Sequence, residues 1–189
     1  SFDVLPLACI RMLVAAAALS ALLAGRRVAL PAMSRRQVAG LVACSALMVY
    51  ANQILFAEGL LRSSATNAAL IMALNPLVSS LLVGAAFRER LTAARAGGIA
   101  LGFAGVAAII LHRPGHGLAG AAVGDLLLVA SVVCFAGGGV AVQRLSRGLD
   151  PLAISWAIHV SGATLLLAHA LLAHRAGDAP LLAPGWQPW

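Results

Sequence analysis

Asn67, Asn75 and Ser79 fall at steps of four, with Ile71 between, inside one long apolar stretch. On a helix that spacing makes a single polar stripe. Amides and hydroxyls set in apolar surroundings can coordinate a polar solute or hydrogen-bond to a neighbouring helix. Asn75 is followed by Pro76, which has no N–H to donate to the carbonyl of Met72, so a kink is expected with a freed acceptor beside an amide. The pair reads either as part of a substrate pathway or as a kink satisfied by adjacent helices.

A second apolar stretch carries Ser45, Asn52 and Gly59 at steps of seven, with Tyr50 and Gln53 beside them. These residues are expected to face one way, lining a cavity or bonding across to another helix. Glu58 lies one turn before Arg62, which suits an ion pair; the sharper reading is a proton-sensing carboxylate, because ionisable groups at membrane depth are costly. Arg11, two turns into its stretch, either anchors an anionic group inside the bundle or snorkels to headgroups. His159 is either a hydrogen-bonded structural residue or a proton relay. Asp125 reads as a first-turn residue favoured by the helix dipole.

Apolar stretches of about 20 residues hold these groups, the length a helix needs to cross the hydrocarbon core. The chain is 61% hydrophobic and only 10% charged, where an ordinary soluble domain carries roughly 25% charged residues. Backbone groups in lipid must satisfy one another, and the alternation of a barrel strand is absent, so the stretches are helices. The expected helices are 4–25, 37–61, 65–87, 93–112, 121–143 and 151–173. The fold class is an all-α membrane protein, a polytopic helical bundle with six spanning helices.

All thirteen basic residues are Arg, and every one except Arg11 lies between or at the ends of these stretches. That pattern is membrane topology and argues against a nucleic-acid partner, despite the net charge of +7. The absence of Lys, with abundant Ala and Gly, hints at a GC-rich bacterial genome. Cys9, Cys44 and Cys134 sit in different stretches without metal-ligand spacing, and no metal or cofactor is expected. Gly98, Gly102 and Gly105, and the run Gly137-Gly138-Gly139, offer small faces for close helix packing.

Alternate loops differ in charge. Arg26, Arg27, Arg35, Arg36, Arg88, Arg90, Arg95, Arg144 and Arg147 fall on one side, and Arg62, Arg113 and Arg175 on the other. The positive-inside bias puts the first group in the cytoplasm, so the first helix runs inward from outside. One span is therefore expected before Ser1, and the Pro-containing tail 174–189 is expected to lead to further helices. No signal-peptide pattern is legible. Leu5-Pro6-Leu7-Ala8 recurs as Asp150-Pro151-Leu152-Ala153, each Pro in a first helical turn. The second copy comes five helices later, so it is inverted, a common transporter design with its binding site between the halves.

The run Asn52-Gln53-Ile54-Leu55-Phe56-Ala57-Glu58-Gly59-Leu60 is followed by Ala65-Thr66-Asn67-Ala68-Ala69-Leu70-Ile71, by Asn75-Pro76-Leu77 and by Arg88-Glu89-Arg90-Leu91. In this order and spacing they resemble the EamA-type drug/metabolite transporters. Pro6 with Arg11 resembles that family's second helix, and Gly124-Asp125-Leu126-Leu127 resembles the opening of its second half. The resemblance implies ten helices in two inverted five-helix repeats. Residues 1–113 would be a first repeat lacking its first helix, and 114–189 the first two helices of a second. It also implies export of small metabolites, such as amino acids or related compounds, across the inner membrane.

The function expected is secondary transport of a small-molecule substrate within the lipid bilayer. Its expected pathway residues are Arg11, Tyr50, Asn52, Gln53, Asn67, Asn75, Pro76 and His159, with Glu58 as the proton-linked candidate. An intramembrane enzyme is the alternative from another class, but there is no G-x-S-x-G, no H-E-x-x-H and no paired intramembrane carboxylates. A non-transporting membrane scaffold is the third reading. No nucleotide-binding loop is present, so an ATP-driven pump would need a separate subunit.

Overall fold

Leu-, Ala- and Val-rich runs without strand alternation form helix throughout the computed structural model, which describes residues 4–26, 33–88, 92–111, 118–146 and 149–175. The helices are α1 (Val4–Gly25), α2 (Arg35–Ser45), α3 (Asn52–Arg62), α4 (Ala65–Met72), α5 (Asn75–Phe87), α6 (Ala93–Leu111), α7 (Leu118–Leu145) and α8 (Pro151–Arg175), with a π-helical segment Ala46–Ala51 joining α2 to α3. Five segments are long and apolar enough to cross a membrane: Leu7–Gly25, Arg35–Arg62, Ala65–Phe87, Val123–Leu145 and Pro151–Leu172. The sixth expected span, α6, contains the shorter apolar helix Ala96–Ala108. Large apolar side chains such as Leu13, Val14, Leu61, Leu101 and Leu172 point outward, as lipid-facing surfaces require. The protein is a multi-pass helical membrane protein.

Local chemistry sets the helix starts. Ser34 caps α2 in a reciprocal box: its Oγ accepts from the Gln37 N–H while Gln37 Oε1 accepts from the Ser34 N–H. Ser64 Oγ accepts from the Asn67 N–H at the head of α4. Asp150 Oδ1 accepts from the N–H groups of Leu152 and Ala153, and Pro151 fills the first turn of α8, where no N–H is needed. Arg88 ends α5 in the left-handed region at φ 55°, with its N–H bonded to the Gly84 carbonyl.

Two interruptions matter for function. Ala73 and Leu74 form a turn before Pro76, so the expected third span is divided into α4 and α5 at the proline. The second span is interrupted by the π segment, where i→i+5 bonding resets the helical phase. Ser45 therefore does not share a face with Asn52 and Gly59: Ser45 meets α8, and the other two meet α7.

Two compact units emerge, one from residues 1–50 and 142–189, the other from 51–141. In the first, α8 packs along α1 and α2, bringing together the two helices that carry the recurring Pro-Leu-Ala sequence. In the second, Ala68, Ile71, Leu74 and Val78 pack with Leu128, Val132 and Ala136 of α7. Lipid is as apolar as these side chains, so close van der Waals contact and interhelical hydrogen bonds hold such a core. The partition follows packing; the repeat boundary expected after residue 113 concerns chain topology and is a separate matter.

Not every glycine is used for packing. A Cβ on Gly102 would overlap Leu77 Cδ1, whereas among the described residues nothing stands near a Cβ on Gly98, Gly105 or Gly139. Periodic small residues on α6 thus mark one close approach, at Gly102, and not a continuous packed face. Glu89, Arg90, Arg113, Arg147 and the tail from 176 lie outside the described residues.

Candidate functional site

The unit formed by residues 51–141 concentrates the buried polar groups. Asn52 is 6% exposed, and its Nδ2 donates to the Ser131 carbonyl on α7 at 2.9 Å. Ser131, fully enclosed, donates in turn to the Leu128 carbonyl at 2.7 Å. Gly59, two turns along α3 from Asn52, lets α7 approach so closely that a Cβ there would stand 2.8 Å from Leu128 Cγ and 2.9 Å from the Gly124 carbonyl. Gly124 makes the reciprocal approach: its Cβ would lie 2.6 Å from the Arg62 carbonyl carbon.

At that corner Asp125 is 3% exposed. Its carboxylate accepts from Asn67 Nδ2 at 3.2 and 3.3 Å and from the Ser63 hydroxyl. Because α7 begins at Leu118 and not near 121, Asp125 sits about two turns inside the helix. The expected first-turn role is therefore replaced by a tertiary one: a carboxylate held by both sides of the α3–α4 turn.

Asn75 stands apart from this network. Among the described residues its Oδ1 is buried with no hydrogen-bond partner, immediately before the exposed Pro76. An unpaired buried acceptor forfeits the hydrogen bonds it would make in water and calls for an explanation. Along the same helix pair runs an apolar cavity of about 250 Å³, walled by Ile71, Leu74, Val78, Phe103, Val129 and Val132. Its size is close to the low end for small-molecule sites.

In the other unit, Ser45 Oγ donates to the Ile158 carbonyl at 2.9 Å, and Gly162 accommodates Val49. The Tyr50 hydroxyl lies 2.7 Å from His169 Nδ1. Trp156 Nε1 donates to Ser20 Oγ at 2.8 Å, tying α8 to α1. His159 Nδ1 is 2.7 Å from the Ser155 carbonyl one turn back; a carbonyl only accepts, so the proton is on Nδ1.

Of the residues singled out by sequence, Asn52 and Asn67 are thus joined to α7, Tyr50 to α8, and His159 to its own helix. Gln53 is half-buried and Arg11 exposed. Glu58 and Arg62 pair at 2.8 Å, both side chains about half exposed. Asp125 and His169 are the groups the sequence reading did not place in a site. A buried acid inside a span must find donors, and that requirement was the available signal for Asp125. Among the described residues no three His, Cys, Asp or Glu side chains are grouped to hold a metal.

Comparison with known proteins agrees with this architecture. A Bacillus subtilis (strain 168) protein named "Uncharacterized transporter YyaM" is 28% identical over 139 residues, covering 72% of this chain. The chain spans 46% of that relative's length. No solved structure matches. Residues 1–111, more than half of the sequence and including the Asn75–Pro76 break, match the EamA-like transporter family, and the chain belongs to that family.

Proposed function

We propose that the protein is part of a secondary exporter that carries a small amphipathic metabolite, such as an amino acid or related compound, across the inner membrane of a bacterium. The observation that carries this reading is the orphaned Asn75 Oδ1 at a helix break within a span. A substrate N–H or O–H would satisfy that acceptor, and Pro76 keeps the backbone there from closing into regular helix. The apolar cavity on α4 and α5 suits a small aliphatic or aromatic substituent of the same solute, which favours an amphipathic over a purely polar one.

Asn52 and Asn67 then serve as helix-joining residues, since their amides already donate to α7. The Arg distribution supports cytoplasmic loops after α1, α5 and α7. Without a nucleotide-binding loop, a proton gradient or counter-substrate supplies the driving force. The inverted arrangement of residues 1–113 and 114–189 rests on the recurring Pro-Leu-Ala and the resemblance described above.

The test is solute exchange in proteoliposomes of the full-length protein loaded with a metabolite mixture. Asn75→Leu keeps the γ-branching, removes the acceptor and is expected to reduce transport at least about tenfold, equivalent to one charge-assisted hydrogen bond, with normal insertion. Unchanged flux in this variant would make Asn75 a packing residue. No exchange of any solute by the wild type, with or without a proton gradient, would remove the transport reading.

A further inference from the structure

Sequence and structure give the second span different registers. Ser45, Asn52 and Gly59 recur at steps of seven. On an unbroken α-helix, seven residues fall only about 20° short of two full turns, so the three would form one stripe. The π segment Ala46–Ala51 lies wholly between Ser45 and Asn52 and undoes that stripe. A π turn takes up roughly one residue more than an α turn, and one residue is about 100° of helical phase. Ser45 therefore donates to the Ile158 carbonyl of α8, while Asn52 donates to the Ser131 carbonyl of α7.

The residues of the segment do not ask for a π turn. They read Ala-Leu-Met-Val-Tyr-Ala, with no Pro and no Gly, and Ala, Leu and Met are among the strongest α formers. The turn is held from outside, by α8. Ser45 Oγ bonds the Ile158 carbonyl at 2.9 Å, and the Tyr50 hydroxyl lies 2.7 Å from His169 Nδ1. Between them Val49 seats on Gly162, where a Cβ would stand 2.6 Å from Val49 Cγ1. Interhelical hydrogen bonds of this kind are individually weak in a membrane. A rare turn held by two of them and one side-chain contact lies close in energy to the regular helix it displaces. The other flank is firmer: Asn52 is enclosed, and a Cβ on Gly59 would stand 2.9 Å from the Gly124 carbonyl of α7. The side free to yield is therefore that of α8.

We propose that the second span switches between two registers. In the π register, Ser45, Val49 and Tyr50 hold α8. In the other, residues 46–51 are regular α-helix, the Ser45–Ile158 bond is given up, and Ser45 joins the stripe of Asn52 and Gly59. Only hydrogen bonds and side-chain contacts are exchanged, and the helical phase across the segment changes by about 100°. The heptad spacing of the stripe is the trace of the second register in the sequence. That the switch is a step of the transport cycle rests on the reading proposed above.

Deleting Ala46 from the full-length protein separates the two registers. With one residue fewer between Ser45 and Asn52, a regular α-helix reproduces the offset that the π turn now supplies. The deletion thus keeps both sets of partners and removes the second register. In lipid nanodiscs, the wild-type amides of residues 46–51 are expected to exchange at least about tenfold faster than those of the flanking turns, because each change of register breaks their hydrogen bonds. The deletion variant is expected to lose that excess and to match or exceed the wild type in denaturant titration. Its transport in proteoliposomes is expected to fall at least about tenfold, as for a protein confined to one of two required states. Wild-type amides as protected as their flanks, a deletion variant that does not fold, or a folded one that transports at the wild-type rate each overturns the proposal. A wild-type protein that moves no solute removes the transport reading instead, and the exchange and stability data still decide on the switch.

Discussion

In the unit containing α1, α2 and α8, Ser45 donates to a backbone carbonyl of α8 while Gly162 lets Val49 settle on that helix. In the unit of residues 51–141, Asn52 donates to a backbone carbonyl of α7 while Gly59 and Gly124 bring helix backbones nearly into contact. Both use a polar side chain on the second span and a glycine at the partner helix. They differ in what lies at the joint. Side chains separate the helices in the first, and its polar pair, Tyr50 with His169, is only half-buried. Backbone meets backbone in the second, which ends in an enclosed carboxylate. A side-chain joint can yield by rotamer changes; a joint of backbone on backbone has no rotamer to change.

Adding one methyl group probes this difference most strongly. Gly124→Ala places a Cβ 2.6 Å from the Arg62 carbonyl carbon, where no rotamer can relieve it. Destabilisation at the upper end of the 1–3 kcal/mol typical of overpacking is expected, with faster exchange across the α3–α4 turn. Gly162→Ala meets Val49 Cγ1 at 2.6 Å and Ser45 Oγ at 3.1 Å and should cost about half as much. Gly40→Ala meets the far end of the Leu145 side chain, nearest at Cδ2, 2.7 Å away, and should fall below about 1 kcal/mol. Denaturant titration of the full-length protein in detergent ranks the three; equal effects would erase the distinction between the joints.

Deleting the bridging hydrogen bonds should separate the units less. Asn52→Leu and Ser45→Ala each remove a side-chain donor to a helix carbonyl that its own helix also serves. Losses near 0.6 kcal/mol, and at most about 1.7, are expected by the same titration. Asn52→Leu should be the larger, because the bulkier apolar side chain must also fit beside Ser131, which is fully enclosed. A Ser45→Ala loss exceeding that of Asn52→Leu would place the more demanding joint in the other unit.

The helices themselves were legible because bilayer thickness sets their length, and α1 runs over Val4–Gly25 as its apolar run requires. Pro76 likewise announced the break before α5. The π segment was not legible: Ala46–Ala51 contains no residue that demands it, yet it separates the face of Ser45 from that of Asn52. Asp125 escaped for two reasons. Helix α7 begins earlier than the charge pattern suggests, and the donors Ser63 and Asn67 lie 62 and 58 residues upstream, beyond any local spacing rule. His169 escaped similarly, since its partner Tyr50 is 119 residues away. Within the candidate site, polar residue types were readable from sequence, while their assignment to packing or to substrate depended on which helices met.

The smallest expected stability effect belongs to Tyr50→Phe, and it is the one that best separates structure from function. The hydroxyl lies 2.7 Å from His169 Nδ1, with the rings 5.6 Å apart and tilted by 53°. Phenylalanine keeps the ring contact and removes only a half-buried hydrogen bond, so a loss of no more than about 0.5 kcal/mol is expected. If the pair merely fastens α8, transport by the full-length protein should stay within about twofold of wild type, in line with that energy. A much larger loss of flux with stability unchanged would make the Tyr50–His169 pair part of the pathway. The unit of α1, α2 and α8 would then contribute chemistry as well as support, and the contrast between the two joints would have to be redrawn around function.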